Sequence, residues 1–180
     1  MTTRRKVLLA IVALVLYAVG YSLYWVVTGR FGIVEPGRLY RSAELPAARL
    51  ISLCRRYGIT TVVDFRGDSA TVRVEAAALA RAGITHVNIP AEQVPSAEAV
   101  AQFLRLMDEK PHDCTLIHCE VGVGRTGVFA AIYRMEYHGW PAAFATLEAM
   151  AYSGFGSFYP WSPKARFLAG YKPRASVNGP

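Results

Sequence analysis

Acidic residues are scarce in this chain: 13 Asp and Glu stand against 20 Lys and Arg in 180 residues, giving a formal charge of +7. Arg4, Arg5 and Lys6 supply three of those charges ahead of the first apolar run, so the remainder is only mildly basic and compatible with an anionic substrate. No nucleic-acid-binding motif is present, and nucleic acid is not an expected partner. Cysteine is scarcer still. Cys54, Cys114 and Cys119 cannot build a disulfide framework, and His86, His112, His118 and His138 show no metal-ligand spacing, so neither a metal nor a cofactor is expected. Cys54 and Cys114 read as buried thiols, with a reversible disulfide to Cys119 as the alternative.

Charge is missing altogether from Val7 to Gly29, which is rich in Leu, Val, Ile and Ala and gathers Tyr21, Tyr24 and Trp25 near its far end. About 20 apolar residues cross a bilayer core and aromatic side chains favour its interface, so a transmembrane helix is expected. Arg4-Arg5-Lys6 would stay in the cytoplasm, which places the chain after residue 30 outside, in a bacterium the periplasm. Three alternatives remain. Ala18-Val19-Gly20 resembles a signal-peptide cleavage site, a buried core helix would also be apolar, and Arg30, Arg38 and Arg41 dilute the charge difference that sets orientation.

What the rest of the chain does have is one concentrated stretch, His118-Cys119-Glu120-Val121-Gly122-Val123-Gly124-Arg125-Thr126-Gly127. Thr115-Leu116-Ile117 before it is strand-prone, and Val128 to Tyr137 after it favours a helix. A strand that feeds a glycine-rich loop opening a helix aims backbone N–H groups and the positive end of the helix dipole into one bowl, which suits a phosphate dianion. Glu120 to Arg125 would line that bowl. A helix N-terminus and a guanidinium favour a thiolate, which makes Cys119 a candidate nucleophile. Arg125 can present two parallel N–H donors to two phosphate oxygens. Thr126 can donate its hydroxyl to the departing sulfur, and His118 would orient the cysteine through hydrogen bonds.

This pattern, His118, Cys119, five residues and Arg125-Thr126, resembles the signature of the cysteine-dependent protein tyrosine and dual-specificity phosphatase superfamily. Leu39-Tyr40-Arg41-Ser42-Ala43 is similar to the opening of the catalytic domain in its bacterial, membrane-anchored members. The resemblance implies attack by Cys119 on a phosphomonoester, a phosphocysteine intermediate held by Arg125, and hydrolysis by water without a metal. It also implies a carboxylic acid on an upstream loop to protonate the leaving group. Pro90-Ala91-Glu92-Gln93-Val94-Pro95 lacks the expected Asp but offers Glu92. Asp64, in Asp64-Phe65-Arg66, and Asp68 are the other candidates, with ion pairing to Arg66 the alternative role for Asp64.

Strands alternate with helices along the chain. Helices are expected over Pro46 to Tyr57, Ser69 to Ala82, Ser96 to Lys110, Val128 to His138 and Pro141 to Ala151, with strands at Leu39, Ile59 to Phe65, Ile84 to Ile89 and Thr115. Phe31 to Pro36 reads as a linker. The predicted fold is α/β, a mostly parallel central sheet flanked by helices as in dual-specificity phosphatases, preceded by one transmembrane helix. The divisions expected are residues 1–30, a cytoplasmic tip and membrane helix; 31–172, a phosphatase domain; and 173–180, a flexible tail.

The bowl contains no Lys and no Arg besides Arg125, which disfavours polyphosphorylated inositol lipids and favours a single phosphomonoester on tyrosine, serine or threonine of a protein. Tethering to a membrane keeps a phospholipid headgroup, phosphatidylglycerophosphate-like, as the alternative substrate. Tyr152, Phe155, Phe158, Tyr159 and Trp161 are the candidate apolar rim for such a lipid, or else a cover for the core. A phosphate-binding module without turnover is the reading outside enzymes.

Overall fold

The computed structural model describes residues 3–154 and 156–174. Helix α1, Thr3–Val27, leads into β1 (Gly32–Glu35) and β2 (Leu39–Ser42). Then follow α2 (Ala47–Tyr57), β3 (Thr61–Asp64), α3 (Ala70–Arg81), β4 (Thr85–Asn88), α4 (Ala97–Glu109), β5 (Thr115–His118), α5 (Gly124–Tyr137), α6 (Ala142–Tyr152) and α7 (Pro163–Gly170).

The sheet runs β1-β2-β5-β3-β4, parallel except for the antiparallel β1–β2 edge. β5 sits between β2 and β3, and is buried at all four positions. That burial explains why Thr115-Leu116-Ile117-His118 shows no alternation of polar and apolar residues. Neighbouring positions on each strand face opposite layers. Leu39, Val63, Ile117 and Cys119 pack against α4, α5, α6 and α7, whereas Tyr40, Val62 and Leu116 pack against α2 and α3.

Local signals start and stop the helices. Ser69 and Ser96 accept hydrogen bonds from Val72 N and Ala99 N as N-caps of α3 and α4. Gly58 ends α2 at φ +67°, and Pro141 precedes α6. One expectation is corrected and one alternative removed. The stretch read as a linker carries β1, which pairs with β2 through the turn at Pro36-Gly37. Cys54 and Cys114 lie in the α2–α3 layer and Cys119 in the opposite one, so the sheet separates them and a disulfide to Cys119 has no route. Burial pushes the Cys54 thiol up to about 12.

α1 is 25 residues long, roughly 37 Å at 1.5 Å per residue, enough to cross a bilayer core. It has no buried window, which removes the reading as a core helix. Its last turns nevertheless touch the domain: Tyr21 Oη donates to Ala151 O at 3.0 Å and the Trp25 ring lies 4.9 Å from that of Tyr152. Residues 175–180 of the expected tail fall outside the described residues. Arg174, just before them, pairs with Asp108 at 2.5 Å and Glu136 at 2.9 Å.

Leu116 is fully buried at the centre of the sheet. Leu116→Ala should cost about 2–5 kcal/mol of stability, read from chemical denaturation of the full chain in detergent micelles.

Candidate active site

Parallel strands β2, β5 and β3 end together, and the loop that leaves β5 turns across them. The main chain of β2 and its exit forms one wall. Glu44 N donates to Glu120 O at 3.1 Å, and the Arg41 guanidinium donates from Nη2 to Gly122 O at 2.9 Å. Gly122 has φ +72°, and a side chain there would meet Ser42 O and Ala43 N at 2.6 Å. Only glycine lets the loop approach that closely. α5 then begins at Gly124, so its free N–H groups open beside Cys119.

Cys119, directly after β5, is 2% exposed and belongs to the core layer that holds Ile117 and Phe129. Arg125 is anchored from below, Nη1 donating to Phe65 O at 3.0 Å, while its Nη2 lies 3.8 Å from Glu120 Oε2. It borders a cleft of about 370 Å³ with Gly67, Pro90, Ala91, Glu92, Gln93 and Ser96. The structure therefore brings Glu92 and Arg125 to one cavity. Glu92 is exposed there and makes no ion pair among the described residues. Thr126 is fully buried with its hydroxyl unpartnered. Val121 is exposed at the loop's tip.

Asp64 and Asp68 are placed differently. Asp68 is exposed and paired to Arg73 at 2.7 Å. Asp64 is fully buried, and its carboxylate receives Arg66 N at 2.8 Å, Nε at 3.0 Å and Nη2 at 2.8 Å. Burial alone would push Asp64 up, but the nearby His86 imidazole and the hydrogen bonds from Arg66 outweigh it and hold the group far below the carboxylate range. Asp64 does not line the cleft that Arg125 and Glu92 border, and its carboxylate is committed to Arg66. This placement is the structural ion pair with Arg66.

The pair belongs to a larger buried cluster that the sequence did not reveal. Arg66 also reaches Glu75 at 2.9 Å and Glu44 at 2.5 Å, and His118 Nε2 lies 3.0 Å from Glu75 Oε1. His86 Nε2 stands 3.5 Å from Glu75 and 3.7 Å from Asp64. Asp64, Glu75 and His86 come close enough to share an ion, yet the Arg66 guanidinium already stands between both carboxylates as their counter-charge. Glu75 gave no local signal in an alanine-rich helix. Arg41, flagged by its motif, proves buried. Lys164 was not anticipated: it donates to Gln93 Oε1 at 3.3 Å, and Gln93 packs on Gly124.

Of the aromatic rim, Phe158 is buried and closes over Gly127, Tyr152 is half-buried, and Tyr159 and Trp161 are exposed with rings stacked 5.4 Å apart. Phe155 lies outside the described residues.

Known proteins agree with this architecture. Residues 38–157, more than half of the chain, match the family described as DSP-PTPase phosphatase fused to NAD+ kinase. The chain belongs to this phosphatase family. Dual specificity protein phosphatase TpbA of Pseudomonas aeruginosa is 38% identical over 143 residues, 78% of this chain and 61% of TpbA. The chain thus spans about three fifths of that relative's length. The crystal structure of P. aeruginosa TpbA superimposes with a TM-score of 0.64 at 31% identity, covering 81% of this chain and 86% of that one. TpbA in complex with pTyr gives 0.61 at 31% identity over 80% and 83%. The catalytic core of the PP-IP phosphatase SIW14 from S. cerevisiae shares the fold, with a TM-score of 0.65 at 18% identity over 79% and 85%.

The charge cluster beneath this phosphatase loop has a pH signature. Burial works against the His86 cation, but the Asp64 and Glu75 carboxylates, 3.7 and 3.5 Å away, win and raise it from 6.5 to about 9. Its stabilisation is complete below pH 6.5 and is lost as pH rises through 9. Glu75, held from 4.5 down to about 2 by His118 and His86 against the effect of burial, contributes above 4.5 and fails as pH falls through 2. The melting temperature should therefore peak between these windows and decline toward pH 9, and His86→Gln should flatten that alkaline decline in a thermal scan.

Proposed function

We propose that the chain is a membrane-anchored cysteine-dependent phosphatase acting on phosphotyrosine, and on phosphoserine and phosphothreonine, in proteins. The observation that carries this reading is the junction of β5, a glycine loop and α5, with buried Cys119 directly after the strand and Arg125 and Glu92 on one cleft. The pTyr complex of TpbA supports the same substrate class by analogy.

In the first step the Cys119 thiolate attacks phosphorus, the S–P bond forms, and the bond to the leaving oxygen breaks. That oxygen takes its proton from Glu92. Loop N–H groups from Glu120 to Arg125 and the Arg125 fork hold the three equatorial oxygens. In the second step water attacks phosphorus, the Glu92 carboxylate accepts its proton, and the sulfur leaves as thiolate with Thr126 Oγ1–H donating to it. His118, fixed by Glu75, keeps the strand end in place and does not exchange protons with substrate.

Arg4-Arg5-Lys6 in the first turns of α1 support a cytoplasmic N-terminus and an extracytoplasmic catalytic domain. The exposed Tyr159–Trp161 pair, on a domain held close to a bilayer by α1, favours a phospholipid headgroup as the second substrate reading.

Cys119→Ser should lower hydrolysis of an aryl phosphate and of a phosphotyrosine peptide by at least ~10³-fold. Glu92→Gln should lower kcat by ~10²-fold or more and remove the basic limb of its pH profile, whereas Asp64→Asn should keep that limb. Turnover of phosphatidylglycerophosphate far above that of phosphopeptides would replace the protein substrate with the lipid.

A further inference from the structure

A cation buried in a fold normally faces a carboxylate, because taking charge out of water is costly unless something answers it. Arg41 is 1% exposed, and among the described residues no carboxylate forms an ion pair with it. Its Nη2 donates to Gly122 O at 2.9 Å, its Cζ lies 4.1 Å from the centre of the Tyr152 ring, and its Nε has no partner. Burial pulls the group down to about 10, so it stays charged at neutral pH, with Tyr152, Glu148 and Cys119 as the neighbours that favour the charge. Glu148 is itself committed to Arg134 at 2.7 Å.

The surroundings are worse than merely apolar. A Cβ on Gly127, in the first turn of α5, would stand 3.7 Å from Arg41 Nη2, so the guanidinium lies beside the positive end of that helix. A helix N-terminus repels cations and attracts anions. A buried guanidinium and the first turn of α5 therefore lie side by side, and among the described residues no carboxylate pairs with the guanidinium. The Cys119 sulfur is one of the neighbours that favour its charge, and an oxyanion held in the loop would be another.

We propose that Arg41 is a positioning residue of the phosphate loop, holding the Gly122 carbonyl on the buried side and placing a fixed positive charge behind Cys119. A trans peptide points its C=O and the next N–H in opposite directions. Fixing Gly122 O toward Arg41 thus aims Val123 N–H to the far side, where the oxyanion enters. Tyr152 keeps the guanidinium in plane through its ring face. Arg41 acts through the loop and does not touch substrate. The inference rests on the phosphatase reading of the site.

The test uses the full chain in detergent micelles, with aryl phosphate as substrate, inorganic phosphate as competitive inhibitor, and a melting curve for each variant. Arg41→Met should raise the inhibition constant for phosphate by ~10-fold or more and lower kcat/KM in parallel. Arg41→Lys, which keeps the charge and a donor, should recover most of the loss. An Arg41→Met protein that melts earlier but binds phosphate within about twofold of the unaltered protein has lost only packing, and overturns the proposal. Should Arg41→Met not fold, Tyr152→Leu serves instead: it removes the ring that positions the guanidinium and should weaken phosphate binding several-fold. Unchanged phosphate binding in Tyr152→Leu overturns the proposal as well. If the unaltered protein neither hydrolyses aryl phosphate nor binds phosphate, the phosphatase reading fails and takes this inference with it; normal behaviour in both the unaltered protein and Arg41→Met removes the inference alone.

Discussion

A loop that gathers N–H groups around a single point is under electrostatic pressure to open, because its dipoles repel one another until an anion arrives. Here that pressure is resisted by backbone contact. Gly122 presses against the main chain of Ser42 and Ala43 so closely that no Cβ fits between them, and Glu44 N and Arg41 hold the carbonyls of Glu120 and Gly122. The order of strands in the sheet is what makes this possible. β2 must lie next to β5 for its exit to become the wall of the loop, and the antiparallel β1 must close the far edge.

The second support lies under the other side. β3 ends in Asp64-Phe65-Arg66, and all three residues contribute. Asp64 and Arg66 pair in the interior, while the Phe65 carbonyl receives Arg125. Glu75 and His86 extend the pair to α3 and β4, and His118 joins it from β5. The cluster ties three strand ends and one helix into a rigid base immediately before the nucleophile. A buried ionic network is no efficient source of stability compared with apolar packing. Its value here is geometric, since it fixes His118 and Arg66 and thereby the two chain segments on which Cys119 and Arg125 depend.

Much of this was legible in the chain because it is local. Strand, loop and helix are contiguous from Thr115 to Tyr137, and the glycines, Cys119 and Arg125 occupy that one stretch. Helix limits followed Ser69, Ser96, Gly58 and Pro141, whose capping or breaking chemistry acts within a turn. β1 escaped notice because Gly32-Ile33-Val34-Glu35 is a short edge strand beside a Pro-Gly turn, which reads equally well as a connection. The separation of Cys114 from Cys119 was readable by parity, since an odd number of steps along an extended chain changes faces. Glu75, His86 and Lys164 were not readable. Their partners sit on other elements of the fold, and nothing beside Glu75 in α3 or Lys164 in α7 marks them.

The helix α1, long enough to span a bilayer, ends against α6 through Tyr21 and Trp25. The proposed chemistry reduces to one bond, between the sulfur of Cys119 and phosphorus. The direct measurement is mass spectrometry of peptides from protein quenched within its first turnovers on a phosphotyrosine substrate. One phosphoryl group is predicted on the peptide carrying Cys119, formed no more slowly than phosphate is released. Phosphate released while that peptide stays unmodified, or a phosphoryl group found on any other residue, would contradict a phosphocysteine mechanism.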